Sequence, residues 1–285
     1  MAYKRMLLFA IHRLDIQGIA SQPFDESLQP NANNFLRTTS IETSMTPQQG
    51  KQTSRHAQPS VATKMPAILF DLDGTLIDSN YQHVNAWSET LLAAGIVIPR
   101  WKIHRRVGMS GKSMMQELLR EIGHKKDKVD LDRLEREHDR RFRRVISQLQ
   151  PLPGANQLLK YLSRHGIRFA IATTGGRQPT SLLLKRLELP AGTPVVTGDD
   201  VEKAKPSPDI FAAAALQLNV AISNCIVVGD SVWDLLAAVR QSALGVGFLS
   251  GGYGQEELER AGAFRVYSDA ADLLMHIEQL GLPGE

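Results

Sequence analysis

Short, uninterrupted apolar runs alternate with helical patterns along most of this chain, and this alternation constrains the possible folds more than any other feature. Runs that are apolar at every position are typical of strands that are covered on both faces. Strands alternating with helices predict an α/β fold with a doubly wound parallel sheet, which places the functional site at the carboxyl ends of the strands. The predicted strands are Ala67–Asp71, Arg168–Thr173, Pro194–Thr197, Cys225–Gly229, Leu244–Phe248 and Phe264–Tyr267.

Helical periodicity fills the intervals between these strands. The helices predicted in the larger part of the chain are Ala155–His165, Thr180–Leu187, Pro208–Leu218, Trp233–Arg240 and Ala271–Leu280. A long interval from about residue 80 to residue 150 has no strand pattern and ends in the stiff run Pro151-Leu152-Pro153-Gly154. Its helical patterns are His83–Ala94, Lys112–Ile122 and Leu131–Ile146. We therefore predict a helical cap, residues 81–150, inserted into an α/β core made of residues 66–80 and 151–285.

The first part of the chain has a different composition. From about Ser21 to Thr63 it is rich in Ser, Thr, Gln, Asn and Pro and has little apolar content. Such a segment cannot bury enough surface to offset the entropy that it would lose on ordering. We expect residues 1–64 to be a disordered extension and the folded part to begin near Met65.

Charge and cysteine content argue against several functional classes. The formal net charge is +3 at pH 7 and no basic residues form a continuous tract, so we expect no nucleic-acid partner. The single cysteine, Cys225, excludes an internal disulfide framework and a cysteine-based zinc site, and it fits a reducing compartment. No apolar stretch approaches the roughly 20 residues that span a bilayer. We expect a cytoplasmic protein with no membrane partner.

Two carboxylates follow the first predicted strand. Asp71 and Asp73 lean to the same side of the pleat, and Gly74 allows a sharp turn and a close backbone approach to a ligand. Carboxylates this close suit a hard cation that prefers oxygen ligands, such as Mg²⁺. Taken alone, however, the segment is more typical of an Asp-Gly turn that ends a strand.

Three further polar motifs stand beside later strands. The run Thr173-Thr174-Gly175-Gly176 offers a hydroxyl and backbone N–H groups to a phosphate. Lys205-Pro206-Ser207-Pro208 precedes a helix, where an N-cap role explains Ser207 but not Lys205. Gly229-Asp230-Ser231-Val232-Trp233-Asp234 follows the fourth strand and puts Asp230 and Asp234 on one helix face. Each motif alone is also typical of an ordinary turn or helix cap.

Together, in this order, the four motifs resemble those of the haloacid dehalogenase superfamily, most of whose members are phosphohydrolases. The resemblance covers nearly all of residues 66–285 and is greatest to the phosphoglycolate phosphatase and beta-phosphoglucomutase group, which has a helical cap. It implies that Asp71 is the covalent nucleophile. It also implies that Asp73 is the general acid and base, with a backbone carbonyl that contacts the metal. The remaining roles that it implies are phosphate contacts by Thr173 and Lys205, a magnesium ligand in Asp230, and support from Ser231 and Asp234.

The expected reaction is the Mg²⁺-dependent hydrolysis of a small phosphorylated metabolite, a phosphate monoester, through an aspartyl-phosphate on Asp71. Mg²⁺, Lys205 and Thr173 offset the repulsion between an anionic nucleophile and an anionic substrate. Asp73 must be protonated when the alkoxide leaves, which requires surroundings that raise its pKa, and the sequence does not show those surroundings. The residues expected to bind substrate are Gly74, Thr75, Thr174, Gly175, His83, Arg106 and Arg177.

Two of these substrate contacts depend on the predicted cap. Arg106 belongs to a basic stretch just before the loop Gly108–Gly111, where it is either part of a solvated cationic face or a cation for the far end of the substrate. His83 lies where beta-phosphoglucomutases carry a histidine in a similar context. The nearby Gly111-Lys112-Ser113 matches the end of a nucleotide-binding P-loop, but the required earlier glycine is Arg106 and no strand precedes it.

Three alternatives remain. A phosphosugar mutase of the beta-phosphoglucomutase type would explain His83, but the cap arginine of those enzymes has no clear match here. A non-catalytic binding module could keep the fold without the activity, although the intact set of polar residues argues against it. Dehalogenases of the same superfamily lack the second acidic residue, so Asp73 argues against that activity. The oligomeric state and the identity of the ester are left open by the sequence.

Overall fold

Six parallel strands form the central sheet of the computed structural model, which describes residues 65–124, 129–203 and 205–284. The strand order is β3-β2-β1-β4-β5-β6, which places the first strand in the middle of the sheet. The strands are β1 Ala67–Phe70, β2 Phe169–Ala172, β3 Val195–Val196, β4 Cys225–Gly229, β5 Leu244–Phe248 and β6 Ala263–Tyr267. All six predicted strands are present, and the prediction of a doubly wound α/β fold is confirmed.

Both faces of the sheet are covered, as the uninterrupted apolar runs predict. Alternate residues of a strand point to opposite faces. Ile68 and Phe70 therefore belong to one hydrophobic cluster, and Ala67 and Leu69 belong to another. All four of these β1 side chains have no exposed surface. The middle of the sheet thus provides a rigid base from which the loops at its carboxyl end project.

Ten α-helices lie in the described residues, with short 3₁₀ turns between some of them. The four that precede β2 are α1 Asn80–Ala93, α2 Arg100–His104, α3 Gly111–Glu121 and α4 Leu131–Arg143. Those that follow the cap region are α5 Ala155–Arg164, α6 Arg177–Leu184, α7 Asp209–Gln217, α8 Val232–Val239, α9 Gln255–Arg260 and α10 Ala270–Met275. Helices α2 and α9 were not predicted, because five or six residues are too few for a helical period to show.

Helices α1 to α4 pack around an apolar cluster of their own. Trp87, Met115 and Leu118 are among its buried members. Among the residues that the structure describes, no strand lies between Phe70 and Phe169. An all-helical unit with its own core is what the predicted cap requires.

Contacts from α2 and the residue after it join this helical unit to the loop that follows β5. His104 Nε2 lies 2.9 Å from the carbonyl oxygen of Gly251. The Tyr253 hydroxyl donates to the carbonyl oxygen of Arg105 at 2.7 Å, and the Arg105 guanidinium forms an ion pair with Glu257. The cap is therefore held over the carboxyl end of the sheet.

Two details of the sequence prediction need comment. Helix α7 begins at Asp209 with Pro208 as its N-cap residue, so the predicted capping role of Ser207 is wrong; its hydroxyl instead bonds the Asp209 carboxylate at 2.8 Å. The prediction of a disordered extension over residues 1–64 falls outside the described residues. Within the described part of the chain, no helix is both long and apolar enough to cross a bilayer.

Candidate active site

The chain turns sharply at the end of β1, and this turn places Asp71 at the carboxyl edge of the sheet. Its carboxylate is buried, with only 3% of the residue exposed, and its Oδ1 accepts a hydrogen bond from the Lys205 ammonium. Lys205 comes from the segment before α7 and has no exposed surface. Two residues 134 positions apart in sequence therefore form one buried ion pair.

Lys205 also contacts a second carboxylate. Its Nζ lies 2.7 Å from Asp234 Oδ1, and neither side chain is exposed. Burial by itself would lower the pKa of Lys205, but the carboxylates of Asp234 and Asp71 outweigh burial and raise it. The lysine is therefore a permanent buried cation. Asp234, for which the family resemblance implies a supporting role, thus contacts the lysine directly.

Asp234 is oriented by the first turn of α8. Ser231 is the N-cap residue, and its backbone N–H and its hydroxyl both donate to Asp234 Oδ2, at 3.1 and 2.5 Å. This reciprocal arrangement is a capping box, which satisfies helix N–H groups that lack intrahelical partners. The residues after β4 thus have two roles. They cap the start of α8, and they orient the Asp234 carboxylate toward Lys205.

Asp230, at the end of β4, is held by two donors from the turn after β1. The Thr75 hydroxyl donates to its Oδ1 at 2.9 Å, and Asn80 Nδ2 donates to its Oδ2 at 2.7 Å. Gly74 adopts φ +80°, and a side chain there would collide with Asn80 and Asp230. Gly74 and Thr75 therefore shape the surroundings of Asp230 and do not line the cavity described below.

Three buried carboxylates meet at this edge of the sheet. Oxygen atoms of Asp71, Asp230 and Asp234 all lie within 4.8 Å of one another. Burial, followed by the like charge of Asp234, raises the pKa of Asp230 to about 7. Burial likewise raises the pKa of Asp71, and the Lys205 ammonium only partly opposes the rise. One ammonium does not balance three carboxylates, so the oxygen-rich cluster fits a hard divalent cation.

Asp73 has a separate set of partners. Ser79 donates to its Oδ1 at 2.7 Å, Thr173 donates to its Oδ2 at 3.2 Å, and His83 Nε2 lies 3.1 Å from Oδ1. Burial alone would raise the pKa of Asp73, but the charge and hydrogen bond of His83 and the two hydroxyls outweigh it and lower the pKa. The raised pKa that a general acid requires is therefore not provided by these partners.

A line of hydrogen-bonded side chains leads from Asp73 into the cap. His83 Nδ1 lies 3.0 Å from His138 Nε2, and His138 Nδ1 lies 3.0 Å from Asp139 Oδ1. The two rings are stacked with Phe142 and Trp87, which fixes their planes. Sequence analysis missed His138, Ser79 and Asn80, because none of them belongs to a motif.

The loop after β2 closes another side of the site. The Thr173 hydroxyl accepts the backbone N–H of Gly175 at 3.1 Å while donating to Asp73. The Thr174 hydroxyl reaches the carbonyl oxygen of Met109 in the cap at 3.4 Å. Thr174 and Gly175 both line the cavity, where sequence analysis placed them as substrate contacts.

A cavity of about 370 Å³ lies between the sheet edge and the cap. Asp71, Asp73, His83 and His138 line it on the side of the hydrogen-bonded network. Gly108 to Lys112 of the cap also line it, so Lys112 faces the site although its P-loop match is false. This volume is near the lower end of the range for small-molecule sites.

Besides Gly74 and Thr75, two more predicted substrate contacts, Arg106 and Arg177, do not line this cavity. The Arg106 guanidinium is held by Glu121 at 2.7 Å and by Glu117 at 3.5 Å. Arg177 is mostly exposed and forms an ion pair with Asp200 at 2.5 Å. Both cations are neutralised by carboxylates of their own neighbourhood, so the geometry does not support their predicted contact with substrate.

The geometry defines a class of enzyme. One carboxylate, Asp71, is buried against a permanent cation, and a second, Asp73, is held by hydroxyls and an imidazole. Both line a cavity that lies under the helical cap. Such an arrangement suits group transfer to a carboxylate nucleophile with a neighbouring acid and base.

Comparison with known proteins agrees with this class. A sequence model of the haloacid dehalogenase-like hydrolases matches residues 65–240, more than half of the chain, and the protein belongs to this family. The predicted family resemblance and hydrolase class are confirmed. A hydrolase of known structure from Pseudomonas syringae is 46% identical, with a TM-score of 0.72, over 75% of this chain and 98% of that one.

Two curated relatives bear on the reaction. Beta-phosphoglucomutase of Bacillus subtilis is 29% identical over 220 residues, which cover 75% of this chain and 95% of the relative. Hexitol phosphatase A of Escherichia coli is 30% identical over 172 residues, which cover 60% of this chain and 77% of the relative. Both are similar to this chain over most of their own length.

Proposed function

We propose that this protein is a Mg²⁺-dependent phosphatase that hydrolyses a small-molecule phosphate monoester through an aspartyl-phosphate on Asp71. The observation that carries the proposal is the division of two neighbouring carboxylates between different partners. The Asp71 carboxylate contacts the Lys205 ammonium, whereas the Asp73 carboxylate contacts hydroxyl groups and the His83 imidazole. A nucleophile and a general acid need this difference.

The first half of the reaction forms the covalent intermediate. A carboxylate oxygen of Asp71 bonds to phosphorus while the bond between phosphorus and the ester oxygen breaks. The departing alkoxide takes a proton from Asp73, whose carboxyl group lines the same cavity and must be protonated for this step although its partners lower its pKa. The buried ammonium of Lys205 offsets part of the negative charge that gathers as anionic nucleophile and anionic substrate approach.

The second half restores the protein. A water molecule attacks phosphorus of the aspartyl-phosphate, gives its proton to Asp73 and releases inorganic phosphate with the Asp71 carboxylate regenerated. Ser79, Thr173 and His83 keep the Asp73 carboxyl group in one orientation during both halves. The cap encloses the site, which limits access of other water molecules.

Asp71, Asp230 and the backbone carbonyl of Asp73 would hold Mg²⁺, with Asp234 beside them. When bound, the cation neutralises the excess of carboxylate charge and draws electron density from the phosphoryl oxygens. The raised pKa values of Asp71 and Asp230 support this assignment, because they show that the buried carboxylates lack sufficient positive charge.

The names of the relatives support the reaction class. Hexitol phosphatase A is one such relative, and phosphoglycolate phosphatase of Rhodospirillum rubrum, 29% identical over 218 residues, is another. A mutase is the second candidate, favoured by the similarity to beta-phosphoglucomutase and by His83 beside Asp73. Among the described residues that line the cavity there is no arginine to hold a second phosphate, which favours the phosphatase.

Phosphate release from p-nitrophenyl phosphate tests the proposal. We expect turnover that requires Mg²⁺, no measurable turnover for Asp71→Asn, and a decrease on the order of 10² to 10⁴-fold for Asp73→Asn. The exposed Asp78, in the same turn, provides the matched control Asp78→Asn, which should keep wild-type turnover. Turnover by Asp71→Asn at the wild-type rate would overturn the proposal, and an isomerised sugar phosphate without free phosphate would favour the mutase.

A further inference from the structure

Beyond Asp71 and Asp73, the cavity is lined by four more carboxylates. Glu135 and Asp139 come from α4 of the cap, and Asp199 and Glu202 come from the segment after β3. We call these four side chains the outer carboxylates. They approach the cavity from both sides, so a leaving group that fills it must lie among them.

Positive charge on this part of the cavity wall is scarce. Lys112 is the one lysine or arginine among the described lining residues, and its Nζ is paired with Asp132 at 2.6 Å. His138 also lines the cavity, but burial lowers its pKa to about 4, so it is neutral at pH 7. His83, the remaining histidine of the wall, is engaged by Asp73 and His138.

The N-terminus of α3, an eleven-residue helix, opens onto the same cavity and would ordinarily attract an anion. Glu135 already occupies this position. Its carboxylate accepts the backbone N–H of Lys112, and a Cβ atom at Gly111 would lie only 2.7 Å from Glu135 Oε1. Because Gly111 has no side chain, the Glu135 carboxylate can lie at the N-terminus of α3. It takes the position that an anionic group of the substrate would otherwise occupy.

The arginines of the cap do not neutralise the negative charge of the outer carboxylates. Arg106 is paired with Glu117 and Glu121, and Arg141 is paired with Glu89 and Glu137. Neither arginine lines the cavity. A second phosphate or a carboxylate on the substrate would therefore meet carboxylates and no arginine among the described residues of this wall, and such like-charge contacts oppose binding.

We propose that the cavity selects phosphate monoesters whose leaving group is uncharged or cationic, namely polyol or amino-alcohol phosphates, and rejects those whose leaving group carries a carboxylate or a second phosphate. This inference rests on the phosphatase function proposed above. Ionised carboxylates only accept hydrogen bonds, and the hydroxyl and ammonium groups of such leaving groups are donors. The oxygen atoms of the outer carboxylates thus accept hydrogen bonds from uncharged or cationic leaving groups, and the same oxygen atoms repel anionic leaving groups.

Two matched series of esters test this selection by their kcat/KM values for phosphate release. The six-carbon series is glucose 6-phosphate, glucosamine 6-phosphate and 6-phosphogluconate, and the small series is glycerol 3-phosphate, phosphoethanolamine and 3-phosphoglycerate. In whichever series is turned over faster, the uncharged and the aminated ester should each exceed the carboxylated one by about tenfold or more, equivalent to about 1.4 kcal/mol.

Charge removal identifies the residues responsible. The double variant Glu135→Gln with Asp199→Asn should raise the relative kcat/KM of the carboxylated ester severalfold. Glu256, which is exposed and outside the cavity, provides the control Glu256→Gln, which should leave the ratio unchanged. If the double variant keeps the wild-type ratio of kcat/KM values, the outer carboxylates do not cause the selection.

The outcomes separate this inference from the proposed function. Equal or faster turnover of the carboxylated esters overturns the inference and leaves the phosphatase in place. Turnover of p-nitrophenyl phosphate together with none of the six esters also overturns the inference. A protein that releases phosphate from no ester at all, including p-nitrophenyl phosphate, overturns both.

Discussion

Lys205 shows how much a single residue contributes to this site. It is a fully buried cation between two carboxylates, Asp71 and Asp234. Removing one partner of a buried ion pair leaves uncompensated charge, which is far more costly than the loss of an exposed pair. The same residue therefore bears on both the stability of the sheet edge and the surroundings of the proposed nucleophile.

We expect Lys205→Met to lower the free energy of unfolding by about 3–5 kcal/mol, because two buried carboxylates lose their common cation. Urea denaturation at neutral pH without added metal measures this change. The control is Lys185→Met at an exposed position, which should change stability by about 0.5 kcal/mol or less. A Lys205→Met variant as stable as the control would show that the buried pair is not stabilising.

His138 predicts a pH dependence of stability. A histidine in the unfolded chain takes a proton near pH 6.5, whereas burial lowers the pKa of His138 to about 4 in the folded protein. Between these values the unfolded state binds more protons, so stability falls as the pH falls. We expect this residue alone to contribute a loss of up to about 3 kcal/mol over that window.

The variant His138→Gln should lack that contribution, so its free energy of unfolding should decrease less than that of the wild type between pH 6.5 and pH 4. Denaturation curves across this range provide the measurement. His165 is exposed, and His165→Gln should keep the wild-type slope. Parallel slopes for wild type and His138→Gln would contradict the buried neutral imidazole.

At the level of single residues, the motifs predicted the central polar residues of the site but not the residues that surround them. Asp71, Asp73, Asp230 and Lys205 were all predicted, and the structure brings them to one edge of the sheet. His138 could not be predicted, because a histidine on an amphipathic helix carries no signal of what it will face. Only packing of α4 against α1 decides that.

At the scale of the element, helix starts in this protein serve different purposes. Ser231 caps α8 and orients Asp234, whereas Asp269 caps α10 by accepting the N–H groups of Ala271 and Asp272. Only the first cap is connected to the active site. The two helices therefore allow stability and activity to be separated.

We expect Ser231→Ala and Asp269→Ala each to lower stability by about 1 kcal/mol, the typical effect of losing an N-cap side chain. Only Ser231→Ala should also lower kcat, since Asp234 then loses the hydroxyl that holds it beside Lys205. Denaturation and steady-state kinetics on both variants test this difference. A reduced kcat for Asp269→Ala would contradict it.

Element boundaries were predicted to within about three residues except at the end of α10, which stops at Met275 and not at Leu280, and the shortest helices were missed. Apolar periodicity was sufficient for α5 and for β4 and β5, whose predicted strand limits match the structure. Helix α9 escaped prediction, although its Glu257 pairs with Arg105 of the cap. Short surface helices form because tertiary neighbours hold them, and their own sequence is a weak predictor.

At the scale of the whole molecule, residues from 65 onward contain the sheet, both of its hydrophobic faces and the cap core. The family match begins at residue 65, and the Pseudomonas syringae structure is covered over 98% of its length by 75% of this chain. These observations motivate a deletion experiment.

We expect a variant that lacks residues 1–64 to keep the wild-type kcat/KM and a free energy of unfolding within about 0.5 kcal/mol, since the sheet, its two hydrophobic faces and the cap core are all built from residues 65 onward. Phosphate release and urea denaturation measured side by side provide the test. A substantial loss of either would show that the first 64 residues take part in folding or catalysis.

The sequence by itself determined the parallel α/β sheet and the place of the helical insertion, and its resemblance to a family is the source of the proposal that Asp71 is the nucleophile. The sheet and the insertion follow from local periodicity, which is a physical property of neighbouring residues. Only the tertiary structure decided that Asp73 is held by Ser79 and His83, and that carboxylates line the space for the leaving group. Those features depend on which side chains, distant in sequence, face one another. Only the packing between helices and strands determines these pairs.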